Sequence, residues 1–188
     1  MVIKMGEIVF ITGGVRSGKS SYALKLAKKM DKEVIFLATG SAKDEEMEER
    51  IKLHKKGRPS SWKTIEEGKN VIPALLSIKP PHKIIIIDCL TFFVSNLLLD
   101  HQTEEFITEY IERIAKIILK SPHTAIIVSN EVGWGVVPES ALGRKFRDTL
   151  GKSNQIMAKY AQKVYLMVSG MPVKLKEKRN EKIKKDID

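Results

Sequence analysis

Two kinds of hydrophobic pattern alternate along this chain. Short runs rich in β-branched residues, at Glu7–Thr12, Glu33–Ala38, Lys83–Asp88, Thr124–Ser129 and Lys163–Ser169, read as strands. In the third of these, KIIIID, four isoleucines follow one another without a polar break, the pattern of a strand covered on both faces. Helical patterns fall between the strands, at Ser20–Met30, Asp44–Lys56, Glu104–Lys120 and from about Ala141 to Ala161. The clearest is Glu104–Lys120, where Ile107, Ile111, Ile114 and Ile118 repeat at the spacing of one helix face. Strands alternating with helices predict right-handed crossovers and an α/β fold, a mostly parallel sheet flanked by helices. Lys56–Pro81 has no regular pattern and reads as an insertion or a short lobe.

A length of 188 residues is near that of one domain of roughly 150, so the reading is a single domain over 1–176 with a basic tail at 177–188. With 43% hydrophobic and 30% charged residues, the chain can bury a core and is not of the disordered class. A single cysteine, Cys89, forms no internal disulfide, which suits a reducing, cytoplasmic setting. The longest apolar stretches, Ile84–Ile87 and Leu97–Leu99, are far shorter than the roughly 18 residues of a membrane span. The apolar run in MVIKMGEIVFITGG ends in glycines and not at a small-residue cleavage site, so no signal peptide is expected.

Net charge changes the picture only in part. The chain carries +10, and an excess of this size raises the question of a polyanion partner. Half of it lies in KLKEKRNEKIKK, Lys174–Lys185, where seven Lys and Arg face two Glu. That segment reads as a solvated terminus, with polyanion contact as the alternative. Aromatics make up only 6%, so the stacking platform of a single-strand nucleic-acid binder is not evident.

The strongest motif is Gly13-Gly14-Val15-Arg16-Ser17-Gly18-Lys19-Ser20, which fits G-x-x-x-x-G-K-[ST]. It follows a predicted strand and opens a predicted helix, the context its mechanism requires. Glycines let backbone N–H groups wrap a phosphate, and the helix N-terminus adds partial positive charge. Lys19 would reach the β- and γ-phosphates and Ser20 would ligate Mg²⁺. The plainer reading is a glycine turn with a serine helix cap. Asp88, at the end of its apolar strand, is the candidate second metal ligand, unless it merely caps the next helix. Cys89 beside it shows no activating neighbour and reads as structural. A third strand-end cluster, Ser129-Asn130-Glu131-Val132-Gly133-Trp134-Gly135, offers Glu131 to the nucleotide site. Trp134 is either a stacking surface for a flat ligand or a half-buried loop residue.

His54 shares a helix face with Met47 and Ile51, and Arg50 lies one turn before it. From pattern alone it is a helix-end histidine; the functional alternative is a nucleophile attacking phosphorus to form a phosphoramidate. Arg58 is either a surface arginine or a planar fork that neutralises phosphate charge.

Taken together, VFITGGVRSGKSSYA, EEMEERIKLHKKGRPSSWKTIE, SNEVGWGVVPE, GRKFRDTLGKSNQ and VSGMPVKLK resemble the bifunctional adenosylcobinamide kinase / adenosylcobinamide-phosphate guanylyltransferase family, in order and almost to Lys176. The pattern R-I-x-x-H-K-x-x-R-P-x-x-W, from Arg50 to Trp62, is its most specific part. The resemblance implies a RecA-like P-loop NTPase fold, a homotrimer and a place in cobalamin biosynthesis. It implies phosphorylation of adenosylcobinamide by ATP or GTP, then transfer of GMP from GTP to adenosylcobinamide phosphate through a guanylylated histidine, which falls on His54. Lys19 and His54 are then the catalytic residues. Arg58 and Glu131 join Gly13–Ser20 at the nucleotide, and Ser20 and Asp88 hold Mg²⁺. Asp stands at residue 88 where the family often has Glu, one methylene longer. The competing readings are a P-loop small-molecule kinase without guanylyl transfer and a nucleic-acid-stimulated RecA-like ATPase. The corrinoid reading expects neither nucleic acid nor a membrane span.

Overall fold

A computed structural model describes residues 5–30, 32–40 and 57–177. Their isoleucine- and valine-rich runs assemble one seven-stranded sheet. In chain order the elements are β1 (Glu7–Gly13), α1 (Lys19–Lys29), β2 (Val34–Ala38), β3 (Lys63–Glu66), α2 (Val71–Ser77), β4 (Ile84–Asp88), α3 (Leu90–Leu99), α4 (Glu104–Lys120), β5 (Thr124–Val128), α5 (Ala141–Tyr160), β6 (Lys163–Val168) and β7 (Met171–Glu177). The strand order is β3-β2-β4-β5-β1-β6-β7, all parallel except the β6–β7 pair.

Register explains why a site collects at one edge. Ala38 pairs with Asp88 and Asp88 with Val128, so β2, β4 and β5 end level, while β1 runs two residues further to Gly13, which pairs with Met167 of β6. Alternate residues of each strand then serve the two faces. Ile8, Phe10, Leu37, Ile85, Ile87 and Ile127 pack against α2, α3, α4 and α5. Val9, Ile11, Phe36, Ile86, Ile126 and Val128 pack against α1 through Ala23 and Ala27. Both faces of the central strands are dry, as the uninterrupted isoleucine run requires.

The stripe read on α4 is the buried one: Ile107, Ile111, Ile114 and Ile118 are at most 2% exposed. The backbone N–H of Phe106 donates to Thr103 Oγ1 (3.2 Å), capping the helix, and Glu104 and Glu105 suit its positive end. Truncating Ile111, which is 0% exposed, leaves a methyl-lined void. Ile111→Ala should therefore cost about 2–5 kcal/mol, read as a lower urea midpoint at unchanged slope.

Three segments depart from the sequence reading. Lys56–Pro81 is not a separate lobe over its described part, Gly57 to Pro81. It supplies β3, which extends the parallel sheet beside β2, and α2, whose Val71, Ile72 and Leu75 enter the core. Leu90–Leu99 is a helix buried almost all round, so it shows no amphipathic period. The basic segment after Lys174 does not begin as a frayed tail, because Lys174, Leu175, Lys176 and Glu177 belong to β7. Lys176 Nζ there donates to the carbonyl of Ala158 (2.7 Å). The helix predicted over Asp44–Lys56, with Met47, Arg50, Ile51 and His54, lies outside the described residues. Among the described residues no helix is long and apolar enough to cross a membrane.

Candidate active site at the phosphate loop

β1 runs out at Gly13 and α1 starts at Lys19; the intervening turn is shaped by conformations that favour glycine. Gly18 has φ +95° at the helix N-cap, and Gly13 has φ +148° with Met167 O only 2.5 Å from where a Cβ would stand. No serine side chain caps α1, which removes the plain helix-cap reading of Ser17 and Ser20. The loop is tied to the neighbouring β6–β7 turn and to itself. The N–H of Gly170, in the β6–β7 turn, donates to Ser17 O (3.0 Å), and Ser17 N–H donates to Gly14 O (3.3 Å). Val15 stands 77% exposed at the tip and Arg16 takes a left-handed φ of 54°.

Lys19 is 8% exposed, and its Nζ donates to Gly14 O (2.5 Å) and lies 3.5 Å from Ser17 Oγ. The ammonium therefore lies beneath the turn whose amides would face a phosphate. Burial holds Lys19 below its ordinary pKa, while Asp88 and Glu131 pull it back up.

Ser20, one residue on, has Oγ 3.5 Å from Asp88 Oδ1. Asp88 does not cap the next helix; that position falls to Cys89. The Asp88 main chain is held by Thr39, whose N–H donates to Asp88 O (3.1 Å). The Thr39 hydroxyl also donates to Cys89 O (2.6 Å) and accepts from Cys89 N–H (2.8 Å). Asn96 Nδ2 in turn donates to Thr39 O (2.9 Å). Burial pushes the Cys89 thiol up to about 12, so it is no nucleophile at neutral pH and the structural reading stands.

Glu131 follows β5, and its N–H donates to Gly13 O (3.0 Å), which places its carboxylate beside the loop. Its Oε1 accepts from Thr12 Oγ1 (2.6 Å) and Asn154 Nδ2 (3.2 Å). Asn154 is itself held by Ser129 Oγ, which donates to its Oδ1 (2.7 Å), and by Asn130 O (3.0 Å). Thr12, Thr39, Asn96 and Asn154 had no assigned role in the sequence reading. Thr12 and Asn154 lie within segments that carry the family resemblance; Thr39 and Asn96 leave no trace there.

Arg58 is no ordinary surface arginine. Its guanidinium stacks 3.3 Å above the centre of the Phe36 ring, and its buried Nη1 meets no hydrogen-bond partner among the described residues. Burial lowers its pKa, with Asp88 and then Glu66 pulling the other way, so the cation belongs to the same edge as Asp88. Trp134 is 74% exposed, which ends the half-buried reading, and Val136 and Val137 beside it are 94% and 60% exposed. His54 lies outside the described residues.

The structure thus brings Gly13–Ser20, Asp88, Glu131 and Arg58 to one edge. Backbone amides, a helix N-terminus and a buried lysine can hold a polyphosphate there. A hydroxyl beside a carboxylate suits a hard divalent cation that takes its remaining oxygens from water and phosphate. Among the described residues no group of three or more His, Cys, Asp and Glu side chains could hold a metal alone.

A mostly parallel α/β sheet with a phosphate loop at its carboxyl edge defines a protein of the P-loop NTPase type. A protein of solved structure from Pyrococcus horikoshii OT3 shares this fold at a TM-score of 0.60, covering 95% of this chain and 90% of that one at 9% identity. Residues 9–175 match the model of the cobinamide kinase / cobinamide phosphate guanyltransferase family, and the chain belongs to that family. The bifunctional adenosylcobalamin biosynthesis protein CobU of Escherichia coli K12 is 36% identical over 181 residues, 90% of this chain and 99% of that protein. The bifunctional adenosylcobalamin biosynthesis protein CobP of Pseudomonas aeruginosa is 37% identical over 166 residues, 88% of this chain and 95% of that protein. Kinase and guanylyltransferase chemistry on a cobinamide are the two activities of the class.

Proposed function

We propose that this chain phosphorylates adenosylcobinamide with ATP or GTP and then transfers GMP from GTP to the resulting phosphate, giving adenosylcobinamide-GDP. The observation that carries this reading is the family match over residues 9–175 joined to the one phosphate loop built among the described residues. Both reactions draw on one triphosphate and differ in the phosphorus attacked. In the first, the substrate hydroxyl attacks the γ-phosphorus. In the second, His54 attacks the α-phosphorus, pyrophosphate leaves, and the guanylyl-histidine passes GMP to the acceptor. Lys19 and the amides of Gly13–Ser20 hold the phosphates in both steps, and Arg58 adds charge beside Asp88. Ser20 and Asp88 are the residues that would hold Mg²⁺, and their 3.5 Å oxygen separation suits neighbouring ligands of one ion. When bound, that ion neutralises phosphate charge.

Three of the four histidines lie badly for this chemistry, which supports His54. His82 and His123 precede β4 and β5, at the opposite sheet edge, where His82 Nε2 pairs with Thr124 Oγ1 (3.0 Å). His123 is 3% exposed and its Nδ1 accepts from Lys83 N–H (3.2 Å). His101 follows Asp100, which pairs with Lys69 just beyond β3. That strand is four places from β1, about 19 Å at the usual strand spacing.

The resemblance also supports a cytoplasmic homotrimer whose catalytic domain is 1–176. Incubation with GTP labelled at either the α- or the γ-phosphate tests the central reading. α-Label should remain on the protein in an acid-labile, alkali-stable linkage, and γ-label should not. Failure of α-label to attach during turnover with Mg²⁺ would refute the covalent step.

A further inference from the structure

Glu131 is oddly placed if its task is to grip the nucleotide. A carboxylate fixed beside the phosphate loop repels the polyphosphate that the loop binds. Yet the fold invests a buried network in keeping it there. Glu131 N–H is pinned to Gly13 O, and Oε1 accepts from Thr12 and Asn154. Ser129 and Asn154, 0% and 6% exposed, orient one another behind it. Among the described residues Oε2 accepts no hydrogen bond, and the side chain is only half-buried. One oxygen is locked and the other accepts from no described residue, in a carboxylate whose charge reaches Lys19 in the loop. Asp88 differs, since Ser20 Oγ and the Arg58 charge stand beside it.

The chemistry of the two proposed steps gives this oxygen a task. An alcohol attacking the γ-phosphorus must lose a proton. A phosphate monoester accepting GMP is already anionic, and a neutral imidazole attacks with a free lone pair. Only the first step needs a base. We infer that Glu131 is the proton acceptor of the phosphorylation step and of that step alone, an assignment that rests on the bifunctional reading above. As the hydroxyl oxygen bonds to the γ-phosphorus, the bond from that phosphorus to the β–γ bridging oxygen breaks. The nucleoside diphosphate leaves with the electron pair, and the alcohol proton passes to Glu131 Oε2. Thr12 and Asn154 act as positioning residues through Oε1.

The experiment compares Glu131→Gln and Glu131→Asp with the wild-type enzyme in three assays: phosphorylation of adenosylcobinamide, uptake of α-label from GTP, and kcat against pH. For Glu131→Gln, which keeps the shape and the bond from Thr12, kcat of phosphorylation should fall about 10²–10³-fold and KM for the nucleotide should stay within about threefold. α-Label uptake should also stay within about threefold, and the acidic limb of the phosphorylation profile should vanish. Glu131→Asp, withdrawn by one methylene, should retain that limb at about a tenth of the rate. A parallel loss of labelling and phosphorylation, or a raised KM at unchanged kcat, would overturn the inference and return Glu131 to nucleotide binding. Wild-type protein that phosphorylates but takes no α-label would instead sink the bifunctional reading and leave this comparison of kcat standing.

Discussion

Lys19→Ala is expected to lower kcat/KM for phosphorylation and for guanylyl transfer together, each by about 10³-fold, or roughly 4 kcal/mol of transition-state stabilisation. One phosphate loop stands among the described residues, and both reactions need its lysine against the triphosphate. The ammonium is already desolvated and held by Gly14 O, so little reorganisation is needed as charge develops on the transferring phosphorus. The same burial predicts that the fold survives the change. A folded-state pKa below the ordinary 10.5 means that the unfolded chain keeps its proton to higher pH. Burying this cation therefore opposes folding at neutral pH, and the opposition is relieved as pH rises through the folded value toward 10.5. Replacing it should leave the melting temperature within a few degrees of wild type. Parallel steady-state assays and a melt check both parts. A loss confined to one reaction would mean that the two steps use different triphosphate sites.

What the chain discloses without coordinates follows from how locally each feature is encoded. The phosphate loop is contiguous, so a strand, its glycines and its helix could be read from Glu7 to Met30 in one pass. The stripe on α4 is equally local, because its four isoleucines lie on one face and all enter the core. Asp88 and Glu131 were legible as polar residues directly after apolar runs, where a parallel sheet presents ligand-facing groups. β3 was not, since an outermost strand needs apolar cover on little of its surface, and of Lys63, Thr64, Ile65 and Glu66 only Ile65 is even partly buried. β7 was missed for the same reason, as its lysines resemble a solvated tail until β6 pairs with them.

Contacts between distant residues were the least legible. Thr39 and Asn96 steady the Asp88 strand end from other parts of the chain, and Thr12 steadies Glu131 across 119 residues of chain and Asn154 across 23. Threonine and asparagine are common, and only the folded sheet edge makes these four partners. Their pattern gives the site two differently supported carboxylates. One stands with a hydroxyl and a guanidinium, the other with a locked oxygen and an open one. Two carboxylates with such different neighbours can take different tasks in one fold.

His54→Ala separates the two reactions more completely than any other change. Retention of α-label should fall to background and guanylyl transfer should drop at least about 10³-fold, since no bond to phosphorus can form in the nucleophile's place. Phosphorylation should stay within about threefold, because attack of the substrate hydroxyl on the γ-phosphorus forms no bond to that imidazole. The described residues on either side of the segment that carries His54 lie at this edge. Gly40 follows β2 against Phe92, and beyond Gly57 the Arg58 guanidinium lies over Phe36 with Asp88 in its field. Trp62, the last residue of the Arg50–Trp62 pattern, packs against the α1 face of the sheet. Label that persisted in His54→Ala would have to rest on another side chain. His82 and His123 are committed to the opposite edge and the Cys89 thiol is protonated at neutral pH, so persistent label would move the bond to Lys19 or a loop serine and would overturn His54 as its carrier. Loss of both reactions at an unchanged melting temperature would be as damaging, since it would make His54 part of the phosphate grip and not the carrier of GMP.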